Sequence, residues 1–432
     1  MTDTDTSQIR WLLIFWLFAL SAVAFLDRVN ISIAGTLLAN DFHLSNIELG
    51  WVFSAFLAGY ALFQTPGGRL ADRLGARSVL ALGVVWWGVF TALTAAVPPH
   101  FSRALLALIG VRFALGAGEA VIYPASNQFV SRWIPSSERG LANGLIFCGV
   151  GVGAGLTPPF ITYLMLNHGW RSSFLVCAVL GLLAGLVWYL IARNSPEEHP
   201  LVSGVELARI QSGLRPSMGG NKTALVRWRR MLRSGDVLAV TLSYFSFGYV
   251  AWIFFSWFYI YLAEVRGLNL KASAFYSMLP FIAMAVCSPL GGALSDAATK
   301  TRGLRAGRCG IAAAAMVLAA IFLVIGSSAG NARVAVIVLA GGAGALYLSQ
   351  SSFWSVTVEI GGPSSGSVSG FMNMGNQFGG MITASLTPWI ASRLGWKAPF
   401  FVAAALCLGG AAAWLVVDPG KRLDSADRQS PI

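Results

Sequence analysis

The sequence predicts an all-α membrane protein: twelve transmembrane helices in two six-helix, pseudo-symmetric halves around a central cavity. Three observations predict this. Only 11% of the 432 residues are charged and 56% are hydrophobic, whereas an ordinary soluble domain is about 25% charged, so most of this surface cannot face water. Apolar runs of about 20 residues, the length that crosses a bilayer core, recur from end to end. Motifs of the first half return in the second at nearly constant spacing. The runs are rich in Gly and Ala and lack period-two alternation, which argues against a β-barrel.

The spans fall near 11–37, 49–68, 77–97, 103–131, 140–165, 171–193, 236–263, 274–295, 308–328, 333–358, 367–391 and 396–417. The first run, Trp11 to Phe25, outlasts a signal-peptide core and lacks a small-residue cleavage site, so it reads as a retained span. Span 2 ends in Pro66-Gly67-Gly68, and the connection behind it holds Arg69, Arg73 and Arg77. Span 4 leads into a connection with Arg132 and Arg139. Span 5 carries Gly149, Gly151, Gly153 and Gly155. Glycines at this spacing let a neighbour approach closely, either as a rocking contact between halves or as plain packing. Residues 194–235 are polar, include Pro196, Pro200 and Pro216, and end in Arg227, Arg229, Arg230 and Arg233. They read as a linker with room for a short surface helix. Span 7 is strongly aromatic between Tyr244 and Tyr261, with Tyr249 and Trp257 as candidates to line the cavity. Span 8 ends on a second Gly-Gly motif, followed by Lys300, Arg302, Arg305 and Arg308. Span 10 carries Ser349, Gln350, Ser351 and Ser352 near Trp354. Asn373, Asn376 and Gln377 form one polar stripe on span 11. The chain divides into a first half over 1–193, the linker, a second half over 236–418 and a tail over 419–432.

Charge gives the orientation. The connection after span 1 holds Asp41, His43 and Glu48 and no Lys or Arg, whereas the even-to-odd connections are basic. That places the basic connections, the linker and both termini in the cytoplasm, as in a multi-pass inner-membrane protein. The net charge of +12 then faces anionic lipid, and nucleic acid is not expected as a partner. The five cysteines lie in apolar runs without metal or redox spacing. No nucleophile–base pair, metal cluster or phosphate-binding loop marks an enzyme. No cofactor is expected.

The internal repeat is specific. Pro66-Gly67-Gly68-Arg69-Leu70-Ala71-Asp72 is echoed by Pro289-Leu290-Gly291-Gly292-Ala293-Leu294-Ser295-Asp296. Gly169-Trp170-Arg171 is echoed by Gly395-Trp396-Lys397, and Leu156-Thr157-Pro158 by Leu386-Thr387-Pro388. The offsets are 224 (292 − 68), 226 (395 − 169) and 230 (386 − 156). Two parallel six-helix halves around a midplane site are what such repeats signify.

Gly68-Arg69-Leu70-Ala71-Asp72-Arg73-Leu74-Gly75-Ala76-Arg77 resembles the signature loop of the major facilitator superfamily, in the expected 2–3 connection. Asp27-Arg28-Val29-Asn30, the stretch Arg112 to Glu119, Tyr123-Pro124-Ala125, Trp133-Ile134-Pro135 and Glu138-Arg139 resemble its anion:cation symporter branch. The resemblance covers the whole chain. It implies a monomeric carrier that takes a small carboxylate across the bilayer, with a proton as coupling ion. The substrate classes it implies are sugar acids (hexuronate, aldonate, aldarate). A uniporter or exchanger for tartrate, phthalate or a similar acid, and a non-transporting sensor, remain open alternatives.

Two of the 18 acidic residues sit deep, Asp27 in span 1 and Glu119 in span 4. A charge at bilayer depth costs at least about 2.5–3.5 kcal/mol, so it marks function by default. All four histidines fall in connections. Asp27 and Glu119 are therefore the candidates for proton coupling. Each has a cation near it in sequence, Arg28 beside Asp27 and Arg112 two helical turns before Glu119. A carboxylate whose arginine partner is diverted to an anionic substrate titrates in step with transport. The resemblance assigns the substrate carboxylate to Arg28, whose guanidinium offers a two-point fork. Arg112 is expected to pair with Glu119 or Asp27. Asn30, Tyr60, Tyr123, Asn373, Asn376 and Gln377 complete the candidate binding set, and Gly68, Asp72, Arg73, Arg77 and Arg132 the gating set. Asp72 is expected to cap a helix end and to pair with an arginine such as Arg132 when the cytoplasmic side is shut. Its second-half counterpart, Asp296, lacks the following Arg and Gly, so a weaker latch is expected there.

Overall fold

The structure, a computed structural model, describes residues 7–214, 225–258, 261–267 and 275–423. The expected boundary of span 8 at 274, and most of the tail, lie outside them. Among the described residues the chain is helical, with no strand. The first half comprises α1 (Ile9–Phe42), α2 (Asn46–Leu74), α3 (Ala76–Ala96), α4 (Ala104–Glu119), α5 (Ile122–Trp133), α6 (Arg139–His168) and α7 (Trp170–Ile191). The linker contributes α8 (Gly204–Gly213) and a single turn at Trp228–Met231. The second half comprises α9 (Gly235–Ser256), α10 (Leu279–Arg302), α11 (Ile311–Ser328), α12 (Ala332–Leu348), α13 (Gln350–Gly361), α14 (Ser365–Leu394) and α15 (Lys397–Ala413).

Nine helical stretches among the described residues are long and apolar enough to cross a membrane. One of them, 332–394, contains two spans. The more polar α2 and the shorter α15 occupy the remaining two positions, which gives twelve. Their outer faces carry bare Leu82, Leu166, Leu190, Ile337 and Leu415, a surface suited to acyl chains and not to water.

Spans 4 and 10 are each broken in mid-course. Span 4 is interrupted between Glu119 and Ile122, because Pro124 has no N–H to offer the carbonyl of Ala120. Span 10 is interrupted at Ser349, whose hydroxyl takes the Leu346 carbonyl at 2.6 Å. Glu119 and Gln350 therefore sit at equivalent breaks, 231 residues apart (350 − 119), in line with the repeat offsets.

The halves meet on the face that carries the basic connections. Asp72, at the end of α2, accepts from the backbone N–H of Gly366 (2.9 Å) and Ser367 (2.8 Å) and from the Ser367 hydroxyl (2.6 Å) at the start of α14. Asp296, on α10, accepts from the N–H of Gly140 (2.9 Å) and Leu141 (2.7 Å) at the start of α6. Each carboxylate thus caps a helix of the opposite half, where the orphan N–H groups and the positive end of the dipole lie. A side chain at Gly68 would run into the carbonyl of Gly366, and one at Gly292 into that of Gly140. Glycine at these two places is what lets the halves close.

Two expectations need correction here. The partner of Asp72 is the α14 N-terminus and not Arg132, which is exposed and lines a cavity on the basic face with Arg139 and Arg422. The second latch also has a cation that the first lacks: the buried Arg308 pairs with Asp296 at 2.6 Å and donates across the halves to the Ser136 carbonyl at 2.6 Å. Of the other gating candidates, Arg77 ties its connection to the end of α7 through the Tyr189 carbonyl (3.0 Å), and Arg73 is exposed. A further closure that the sequence did not single out is the buried pair Arg139–Glu359 at 2.7 Å across the halves. Of the span-5 glycines, Gly151 abuts α10 in the opposite half, whereas Gly149 and Gly153 pack on α1 in their own. One glycine of the row thus faces the opposite half, two serve internal packing, and a side chain begun at Gly155 would meet no neighbour within 4 Å among the described residues.

If these caps hold the basic face shut, Asp72→Asn will weaken three charge-assisted bonds and Asp296→Asn two together with the Arg308 ion pair, each bond worth about 1.5–3 kcal/mol. Cysteines introduced on the basic face should then label about tenfold faster. Unchanged labelling on both faces would rule the latch out.

Candidate functional site: a polar cavity between the halves

A narrow cavity of about 50 Å³ lies between the halves, above these closures. Arg28, Tyr60, Tyr123 and Phe147 line it from the first half. Tyr244, Trp252, Tyr347, Gln350, Asn373, Asn376 and Gln377 line it from the second. One cation faces several neutral donors and acceptors, and no carboxylate is among the lining residues.

Arg28 reaches the cavity from α1. Its Nε donates to Glu119 Oε1 at 2.6 Å, and its Nη2 has no hydrogen-bond partner. The guanidinium carbon lies 4.1 Å from the Tyr60 ring centre and 4.8 Å from that of Phe25. The head group is thus held flat by aromatic faces, with one nitrogen spoken for and another uncommitted. Glu119, the last residue of α4, is fully buried, and its Oε2 has no partner. The break in span 4 is what turns this carboxylate toward α1.

Asp27 faces the other way, toward α3. One of its oxygens accepts from Trp87 Nε1 at 2.9 Å and Thr91 Oγ1 at 2.8 Å, while Oδ1 has no partner. Arg112 is buried beside it, 4.9 Å from the Phe56 ring centre. Two guanidiniums and two carboxylates are therefore buried within one half. On the other wall, Asn373 Nδ2 donates to Gln64 Oε1 at 3.0 Å, which joins the halves at the cavity floor.

Residues 17–384 and 361–431 match the profile of the Major Facilitator Superfamily. The chain belongs to that superfamily. It is 33% identical over 410 residues to the probable sulfoacetate transporter SauU of Cupriavidus necator, covering 94% of each. It is 27% identical over 405 residues to the hexuronate transporter of Bacillus subtilis, covering 93% of this chain and 92% of that one. The solved proton:xylose symporter XylE shares the fold, with a TM-score of 0.75 at 16% identity over 97% of this chain and 98% of that one.

For a facilitator of this branch the cavity gathers six of the eight binding candidates: Arg28, Tyr60, Tyr123, Asn373, Asn376 and Gln377. Two are placed elsewhere. Asn30 is sealed behind α1, where its Oδ1 accepts from Ser173 Oγ at 2.8 Å and its Nδ2 points at Cys177. Three residues is just under one helical turn, so Asn30 shares the Asp27 side of α1, and that side is the packed one. Arg112 does not line the cavity and makes no ion pair within 4 Å among the described residues. Of the two expected partners of Arg112, Glu119 pairs with Arg28 instead, because spans 1 and 4 meet at the break, and Asp27 is a neighbouring charge without an ion pair to it.

Tyr249 and Trp257 also fall outside the cavity; Trp257 Nε1 donates to the Ala384 carbonyl at 3.2 Å. Span 7 instead contributes Tyr244, Phe247, Trp252 and Phe255. Of the polar run on span 10, Gln350 is the member that lines the cavity, at the repeat position of Glu119, and Tyr347 is a further lining residue.

Proposed function

We propose that this transporter carries a small organic anion into the cell by proton symport, with sugar acids and short sulfonated or carboxylated acids as substrates. The basic face is cytoplasmic in this reading, both termini lie on it, and the monomer in the inner membrane is the working unit. The observation that carries it is Arg28: a buried cation at the cavity wall whose guanidinium is shared with Glu119. An incoming carboxylate or sulfonate competes with Glu119 for that guanidinium, and a proton on Glu119 resolves the competition. The relatives named for sulfoacetate and hexuronate supply the substrate classes. Alternating access by the two repeat-related halves supplies the mechanism, in which the Asp72 and Asp296 caps open as the opposite face closes.

The test is uptake in proteoliposomes with a panel of hexuronates, aldonates, aldarates, sulfoacetate and aromatic acids. An inward proton gradient should drive accumulation of at least one acid, and an uncoupler should abolish it. Exchange of that acid that proceeds equally with and without the gradient, and no accumulation, would make the protein an exchanger or uniporter.

A further inference from the structure

We propose that Tyr244 is the hydrogen-bond donor that reads the second polar end of the substrate, held in that role by Gln350 and Trp354. The proposal rests on the transport reading above and adds to it a substrate class. Tyr244 lines the cavity from α9 and is 1% exposed. Its oxygen accepts from Gln350 Nε2 at 2.9 Å and from Trp354 Nε1 at 3.0 Å. An indole N–H can only donate, and a phenol oxygen has two acceptor sites. With both occupied, the hydroxyl proton is left to point toward the cavity, where Asn376 also approaches the hydroxyl and where an acceptor can arrive. Tyr123 differs. Its hydroxyl faces Ser21 Oγ at 2.9 Å, where either atom can donate, so its polarity is free to adapt.

The tyrosine is also fixed in place. Its ring centre is 5.1 Å from that of Phe247 and 4.6 Å from that of Phe353. Gln350 sits at the break of span 10, as Glu119 sits at the break of span 4. The two breaks thus serve opposite walls: Glu119 governs the charged donor, Arg28, and Gln350 governs the neutral donor, Tyr244. A substrate matched to both is a short acid with one anionic group for Arg28 and an oxygen at its other end that accepts a hydrogen bond. A second carboxylate, a sulfonate or a hydroxyl meets this requirement. An alkyl end leaves the Tyr244 donor buried and unpaired. An ammonium end finds no carboxylate among the lining residues.

The experiment is calorimetry on the purified full-length chain with two matched pairs of acids: sulfoacetate with ethanesulfonate, and D-glucuronate with cyclohexanecarboxylate. Within each pair only the first acid carries the second polar end. Tyr244→Phe keeps the packing and should weaken the two-ended acid by about tenfold while changing its partner less than twofold. Trp354→Phe should weaken the two-ended acid by about threefold, and that loss should vanish in the Tyr244→Phe background, since it acts only through the hydroxyl. Equal losses for both members of a pair, or a Trp354→Phe loss that persists without the hydroxyl, would overturn the assignment. A parent protein that binds none of the four acids would overturn the functional reading and this inference together.

Discussion

Arg28→Ala is expected to remove anion binding, with a loss of at least about 30-fold in affinity. A carboxylate or sulfonate brought to bilayer depth needs a fixed cation, because an unpaired charge there costs several kcal/mol. Arg28 is the one guanidinium among the lining residues, and its Nη2 is without a partner. Losing one member of a buried charge pair typically costs about 2–5 kcal/mol, which is the stated 30-fold or more. Arg28→Lys keeps the charge but loses the planar fork and its stacking on Tyr60, so it should bind with intermediate affinity. The single alanine variant also strands Glu119, whose recorded partner is Arg28. Arg28→Ala combined with Glu119→Gln removes one charge of each sign, and it separates lost binding from lost folding. Calorimetry with the best acid of the panel decides. Binding within a fewfold of the parent in both variants would make Arg28 structural and Arg112 the better candidate for the anion.

Much of this site was legible in the sequence because membranes make charges expensive. Asp27, Arg28, Arg112 and Glu119 stood out by depth alone; Asp27, Arg112 and Glu119 are buried, and Arg28 stands beside them at the cavity wall. What could not be read was who pairs with whom. Helical spacing puts Arg112 and Glu119 on one face, yet helix α4 ends at Glu119 and the chain turns there, so periodicity stops being a guide at the residue that matters. The same holds for Asn30, whose spacing from Asp27 puts the two on one face of α1 but whose direction depends on packing against α7. The latch was half legible. The Gly-to-Asp spacing in both halves gave a helix cap, but a backbone N–H carries no side-chain signature, so an arginine was the natural guess. Among the aromatic residues of α9, the choice of cavity-facing rings depends on the helix rotation, which a run apolar on every side does not reveal.

Glu119→Gln is expected to uncouple transport from the proton gradient without abolishing binding. Glu119 is fully buried, bonds Arg28 through one oxygen and has no partner at the other. While ionised it competes with any anion for the guanidinium. Once protonated it releases Arg28, so in the parent substrate affinity should rise as the pH falls. Glutamine has the shape of the protonated acid and cannot ionise, so the variant should bind substrate with little pH dependence. Exchange of labelled for unlabelled substrate needs no net proton movement and should persist. Accumulation under an inward proton gradient should fall at least about tenfold, toward the equilibrium level, because nothing at the anion site then has to be protonated for loading or deprotonated for release. Asp27 is the control. Its oxygen is held by Trp87 and Thr91, away from the cavity, so Asp27→Asn should disturb coupling less than Glu119→Gln does. If Asp27→Asn loses accumulation while Glu119→Gln keeps it, the proton is carried behind α1 and not at the anion site. If both variants accumulate substrate like the parent, neither carboxylate carries the coupling proton, and the Arg28–Glu119 pair is a static tie between spans 1 and 4.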